Sequence, residues 1–207
     1  MRLAELRLVG FEELEPPEIP GRFIYEDGVL MRIKMDDQTL DAVSFLKTLC
    51  ESDQIKWPID FDVVGPSDEE LAETFGSWFG GQRWSTAGDT FAQFGEDGTG
   101  SMFLLWYYPD LKTRPPVVFL SSEGESCLVS NSLEDFIHQL GSGKLFFSGN
   151  WYAPSSGEDE DLDWKNLQHL IHEKLGRSDE TPEQLSAKAR RTHPDFSRWV
   201  ESMVEYE

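Results

Sequence analysis

The alternation of apolar and polar positions divides the chain into short, clearly bounded elements. Residues 22–35 predict a hairpin: Asp27-Gly28 is a tight-turn pair, and Val29, Met31, Ile33 and Met35 alternate with Arg32 and Lys34 at the period of a strand. The pattern then predicts a helix from Leu40 to Leu49 with Thr39 as its cap. A half-buried strand should follow, in which Ile59, Phe61 and Val63 alternate with Asp60 and Asp62. Ser67 and Glu70 have the spacing of a capping box, with Asp68 and Glu69 in the first turn and Gly80-Gly81 as the stop. That helix carries Leu71, Phe75, Trp78 and Phe79 on one face. Between 90 and 130 the pattern predicts four consecutive strands, around Phe91 and Phe94, from Met102 to Tyr108, from Val117 to Leu120, and from Cys127 to Val129. Gly95 to Gly100, Pro109-Asp110, Pro115-Pro116 and Glu123-Gly124-Glu125 separate them, as in an antiparallel meander.

After the strands the period returns to that of a helix. Leu133, Phe136, Ile137 and Leu140 share one face behind Ser132, and Gly141 occupies the C-cap position. Residues 154–163 read as an acidic loop rich in Pro, Ser and Gly. Beyond it Trp164, Leu167, Ile171 and Leu175 form a stripe. Thr181-Pro182-Glu183-Gln184 marks a helix start, and Phe196, Trp199, Val200 and Met203 form a last stripe. These readings give an α+β fold, a mostly antiparallel sheet flanked by helices. Residues 1–207 make a single domain, with 161–207 as a helical C-terminal extension.

Composition sharpens this picture. With 39% hydrophobic residues, 7 Trp and 14 Phe in 207 residues, the chain has the apolar surface to fold. Cys50 and Cys127 stand far apart, each in an apolar stretch, and read as buried thiols rather than a bridge. The first residues contain no apolar leader, and no stretch reaches the roughly 20 apolar residues of a membrane span. A cytoplasmic protein is expected. Charge says more. The chain has 39 acidic and 18 basic residues, a net charge of −21, and nearly all of the excess lies before Trp164. Such a field repels nucleic acid and anionic lipid and speeds association with a basic protein.

The candidate chemical motifs fail on physical grounds. Gly95-Glu96-Asp97-Gly98-Thr99-Gly100 has the wrong glycine order for a dinucleotide loop, leads into a strand, and would repel phosphate with two carboxylates. Gly141-Ser142-Gly143-Lys144 is followed by Leu145 where a nucleotide loop needs a hydroxyl. His169 and His172 lie off the apolar stripe of their helix with no third ligand near in sequence, and His138 and His193 have no nucleophile setting. Asp60, Asp62 and the acids Glu158, Asp159, Glu160, Asp161 and Asp163 lack calcium-loop spacing. Lys188, Arg190, Arg191 and Arg198 form a small basic patch, suited to docking a neutral tail on an acidic body or to pairing subunits. No catalytic residue, cofactor or metal ligand is expected.

An ordered set of motifs runs from Phe94 to Phe147: the glycine turn at 95–100 leading into an aromatic strand, Pro116-Val117-Val118-Phe119-Leu120, the acidic turn Ser122-Glu123-Gly124-Glu125, and Asn131-Ser132-Leu133-Glu134-Asp135-Phe136. In this order the stretch resembles the SUKH superfamily, which includes bacterial toxin-immunity proteins and a yeast cell-wall synthesis regulator; residues 88–147 are its best-matching core. The helix usual at the family's N-terminus has no counterpart before Leu40, and the helical tail is additional. The resemblance implies a non-enzymatic immunity protein that binds a cognate toxin, often a nuclease. The candidate partner-binding carboxylates are Glu96, Asp97, Glu123, Glu125, Glu158, Asp159, Glu160 and Asp161, with Trp106 or Tyr108 as anchors if exposed. The alternatives are a regulatory or scaffold protein of the same family and, from another class, a metal-dependent hydrolase using Asp60 or Asp62.

Overall fold

The computed structural model describes residues 22–26, 29–33, 35–66, 68–81 and 83–205. Strands β1 (Arg22–Glu26) and β2 (Val29–Ile33) pair antiparallel as the hairpin pattern requires; their turn, Asp27-Gly28, lies outside the described residues. Helix α1 runs from Asp37 to Glu51. Its cap is Asp36 rather than Thr39: the Asp36 carboxylate accepts from the Thr39 amide at 2.8 Å, and the Thr39 side chain turns inward. Ile59 and Phe61 are buried, but from a loop. Only Asp62–Val63 (β3) pairs as a strand. Period-two burial over so short a stretch does not need ladder bonds. Helix α2 (Asp68–Phe79) buries Leu71, Phe75 and Phe79; Ser67, its expected cap, lies outside the described residues.

The meander then runs through β4 (Thr90–Glu96), β5 (Met102–Tyr107), β6 (Val117–Leu120) and β7 (Ser126–Ser130), giving a five-stranded antiparallel sheet in the order β3-β4-β5-β6-β7. Helices cover both faces. On one side Phe94, Phe103, Leu105 and Phe119 meet α1, α3 (Leu133–Leu140) and α4 (Trp164–Leu175). On the other, Phe91, Leu104, Trp106 and Leu120 meet α2, α5 (Pro182–Thr192) and α6 (Phe196–Met203). Alternation in β5 therefore does not separate inside from outside, because both of its faces are interior.

The C-terminal helices are part of this core. Ala189, Phe196 and Val200 sit in the second cluster, and α5 lies along the edge strand β7. A bulge at β7 leaves the Val129 carbonyl out of the ladder, where it accepts from Gln139 Nε2 at 3.0 Å and Ser186 Oγ at 2.7 Å. The tail thus satisfies an edge that would otherwise invite another strand. Gly141 ends α3, but with φ of −83° it needs no left-handed freedom. A Cβ there would stand 2.5 Å from Ile171 Cδ1 on α4, so any larger residue would push the end of that side chain aside. A hairpin absent from the sequence reading, β8 (Leu145–Phe147) with β9 (Asn150–Tyr152), joins α3 to the acidic loop. Among the described residues no helix is long and apolar enough to cross a membrane.

Candidate functional site

The glycine turn and the acidic turn lie side by side at one end of the sheet. In the β4–β5 turn the Asp97 carboxylate accepts from the Thr99 and Ser101 amides, each at 2.9 Å, and from the Thr99 hydroxyl at 2.6 Å. Asp60 reaches the same turn, accepting from the Gly98 amide at 2.9 Å. In the β6–β7 turn the Ser121 amide donates to the Glu125 carbonyl at 2.8 Å and the Glu123 amide to Ser121 Oγ at 3.1 Å. The two turns are stitched together, since the Ser122 amide donates to Ser101 Oγ at 3.1 Å and Ser122 Oγ to Thr99 Oγ1 at 3.2 Å. Loops held this way keep their shape when a partner arrives.

This rim carries Asp60, Glu96, Asp97, Glu123 and Glu125. Glu123, Glu125 and Asp60 are exposed, whereas Glu96 and Asp97 are half-buried. Asp97 is therefore a turn staple before it is a contact. Asp62 and Glu96 stand directly opposite across β3 and β4, an unfavourable like-charge pair.

The second acidic group forms a compact loop at the start of α4. Glu158 accepts from the Ser155 amide at 2.7 Å, Asp159 from the Trp164 indole at 2.6 Å, and Asp163 caps α4. Glu158, Glu160 and Asp161 are exposed, and Asp159 is half-buried beneath Trp164. Among the described residues no hydrogen bond joins this loop to the rim; the structure presents two acidic groups rather than one.

Neither proposed anchor is available. Trp106 is 1% exposed, and Tyr108 is half-buried, its hydroxyl 3.0 Å from His193 Nδ1. The Trp106 indole donates to Asp89 Oδ1 at 2.7 Å, and Trp199 from α6 donates to Oδ2 at 3.0 Å. Burial raises the Asp89 carboxyl above the ordinary aspartate value, the two indoles opposing it. His193 is buried between Tyr108 and Asn131, and burial lowers its basicity. No sequence spacing announces such pairings across long separations.

His172 also differs from expectation. It is half-buried and faces His138, with ring centroids 6.2 Å apart. Both line a cavity of about 220 Å³. Among the described residues no group of three or more His, Cys, Asp or Glu side chains is placed to hold a metal ion. Both cysteines are free, and burial pushes the Cys127 thiol up to about 12 and the Cys50 thiol up to about 11. At neutral pH neither is a thiolate nucleophile. Among the described residues the ion pairs that tie body to tail are Lys144–Glu183 and Lys174–Asp41; of the basic patch, Lys188 pairs with Glu180 inside the tail and also feels the charge of Asp135 on α3.

Fold and site together define a class: an α+β protein with a doubly covered antiparallel sheet that displays fixed carboxylates on its turns. No family model, no curated protein and no solved structure matches the chain.

Proposed function

We propose that this chain is a cytoplasmic immunity protein that neutralises a cognate toxin by binding it directly, in the manner the resemblance to the SUKH superfamily implies. The observation that carries the reading is the rim at the end of the sheet, where two cross-bonded turns hold Glu123 and Glu125 in solvent beside Asp60. A nuclease must be basic where it grips phosphate, so carboxylates fixed in advance can occupy that surface with little ordering cost. The net charge of −21 draws such a partner in. The opposed Asp62 and Glu96 add a second motive, because a partner's Lys or Arg between them would relieve a repulsion that the free protein bears.

The test is co-expression with the toxin encoded beside this gene. Restored growth and a stable complex are expected, with association slowed at least tenfold by Glu123→Lys with Glu125→Lys. No complex and no rescue would sink the reading.

A further inference from the structure

We propose that the outward face of the β8–β9 hairpin, with the acidic loop that leaves it, is a second contact surface for the basic partner protein, in addition to the carboxylate rim; this rests on the reading above that such a partner exists. Pairing sets the two faces. Leu145 lies opposite Tyr152 and Phe147 opposite Asn150, so these four side chains share one side, while Phe146 and Trp151 share the other. The inner side is fixed to the core: Phe146 packs against Phe119 at 5.0 Å, Trp151 at 5.1 Å and Phe103 at 5.5 Å. The outer side leaves Phe147 70% and Tyr152 52% exposed. Among the described residues Trp57 is the only other large apolar side chain so open to solvent.

The hairpin backbone is also braced by its turn and by the strand beneath it. Ser148 and Gly149 form a two-residue turn with φ of 46° and 80°, matching the twist of a tight hairpin. A Cβ on Gly149 would sit 3.3 Å from Cys127 Sγ, so the tip rests on β7. Two aromatic groups held by a fixed backbone are the kind of side chain that dominates interface energy.

Charge identifies the occupant. The loop that continues from Tyr152 exposes Glu158, Glu160 and Asp161, and Lys144 at the base of the hairpin is paired with Glu183; against these acids stands an exposed cation, Arg190 of α5, whose charge reaches Cys127 under the tip. The complementary surface is an apolar spot ringed by Lys and Arg, which can also stack on the aromatic faces. A second copy of this chain fits badly, since a two-fold contact here would set the same carboxylates against each other.

The experiment pans a phage-displayed library of random dodecapeptides against the immobilised full chain. Enriched peptides should combine Lys or Arg with a large apolar residue. A synthetic peptide of that sequence should bind Phe147→Ser/Tyr152→Ser at least tenfold more weakly, with the thermal midpoint of the variant unchanged. Glu158→Gln/Glu160→Gln/Asp161→Asn should weaken binding severalfold and flatten its salt dependence. No enrichment, enrichment of neutral or acidic peptides, or equal binding by the aromatic variant would overturn the proposal. Self-association abolished by Phe147→Ser/Tyr152→Ser would overturn it in favour of a second copy. A toxin neutralised equally well by that variant would remove this surface and leave the immunity reading standing. Peptide selection without toxin rescue would do the reverse.

Discussion

Asp89 shows how single side chains hold the sheet to the tail. Its two oxygens accept one indole from β5 and one from α6. Asp89→Ala leaves the Trp106 N–H buried without an acceptor, and should cost about 1–3 kcal/mol in urea unfolding. Because the folded carboxyl is raised, its proton binds more tightly in the native state. The proton-linked part of its contribution is complete below the ordinary aspartate value and is lost as pH rises through the raised one, while the two indole bonds persist. Tryptophan fluorescence should report that titration as a step, and Asp89→Ala should abolish it. Gly95 acts through space instead: a Cβ there would lie 2.3 Å from the ring of Phe61, itself wedged between Phe103 and Phe136. Gly95→Ala should therefore cost about 1–3 kcal/mol, measured the same way.

At the scale of elements, β3 and β4 place Asp62 against Glu96. Asp62→Asn should raise stability by about 0.2–1 kcal/mol and weaken partner binding, the exchange expected where a site is held against repulsion. The contact between α3 and α4 has a pH signature. His138 is lowered by burial, then by His172, with Glu134 opposing. Its stabilising contribution is present above the unfolded histidine value of about 6.5 and fades as pH falls through the lowered one. His138→Gln should flatten the pH dependence of thermal stability in that window, although buried His193 contributes in the same direction. Much at this scale was legible in the sequence. Breakers between apolar runs located four strands of the meander, and Ser132 and Thr181 marked the helices they cap. The β8–β9 hairpin was missed, although Ser148-Gly149 between aromatic pairs is a two-residue turn signal. The short run around it reads as neither strand nor helix. The acids of the rim and of the loop before α4 were legible as charge, but not that Asp97 and Asp159 are committed to internal bonds, because their partners are set by how the chain folds back.

For the molecule as a whole, the question is what the C-terminal helices contribute. Their ion pairs to the body, Lys144–Glu183 and Lys174–Asp41, are largely solvated, and such pairs contribute about 0–1 kcal/mol each. Their apolar contribution is larger in kind: Ala189, Phe196 and Val200 close the core over Phe91, Trp106 and Leu128, and Ser186 and Ser197 bond the carbonyls of Val129 and Ser126 on the edge strand. A chain ending at Gly176 would keep α4 on the first face but open the second, exposing buried aromatics and strand carbonyls together. That truncation should bind a hydrophobic dye, lose its near-ultraviolet dichroism and unfold without a cooperative transition. Raising salt to about 0.5 M tests the same ranking from the other side, because the Debye length shrinks well below 10 Å while apolar burial is not weakened. Stability of the full chain should then hold or rise, because the same salt screens the self-repulsion of a chain with a net charge of −21. If the truncated chain unfolded cooperatively and salt destabilised the full one, the tail would be an appendage held by charge, and the second core would belong to the sheet and α2 alone.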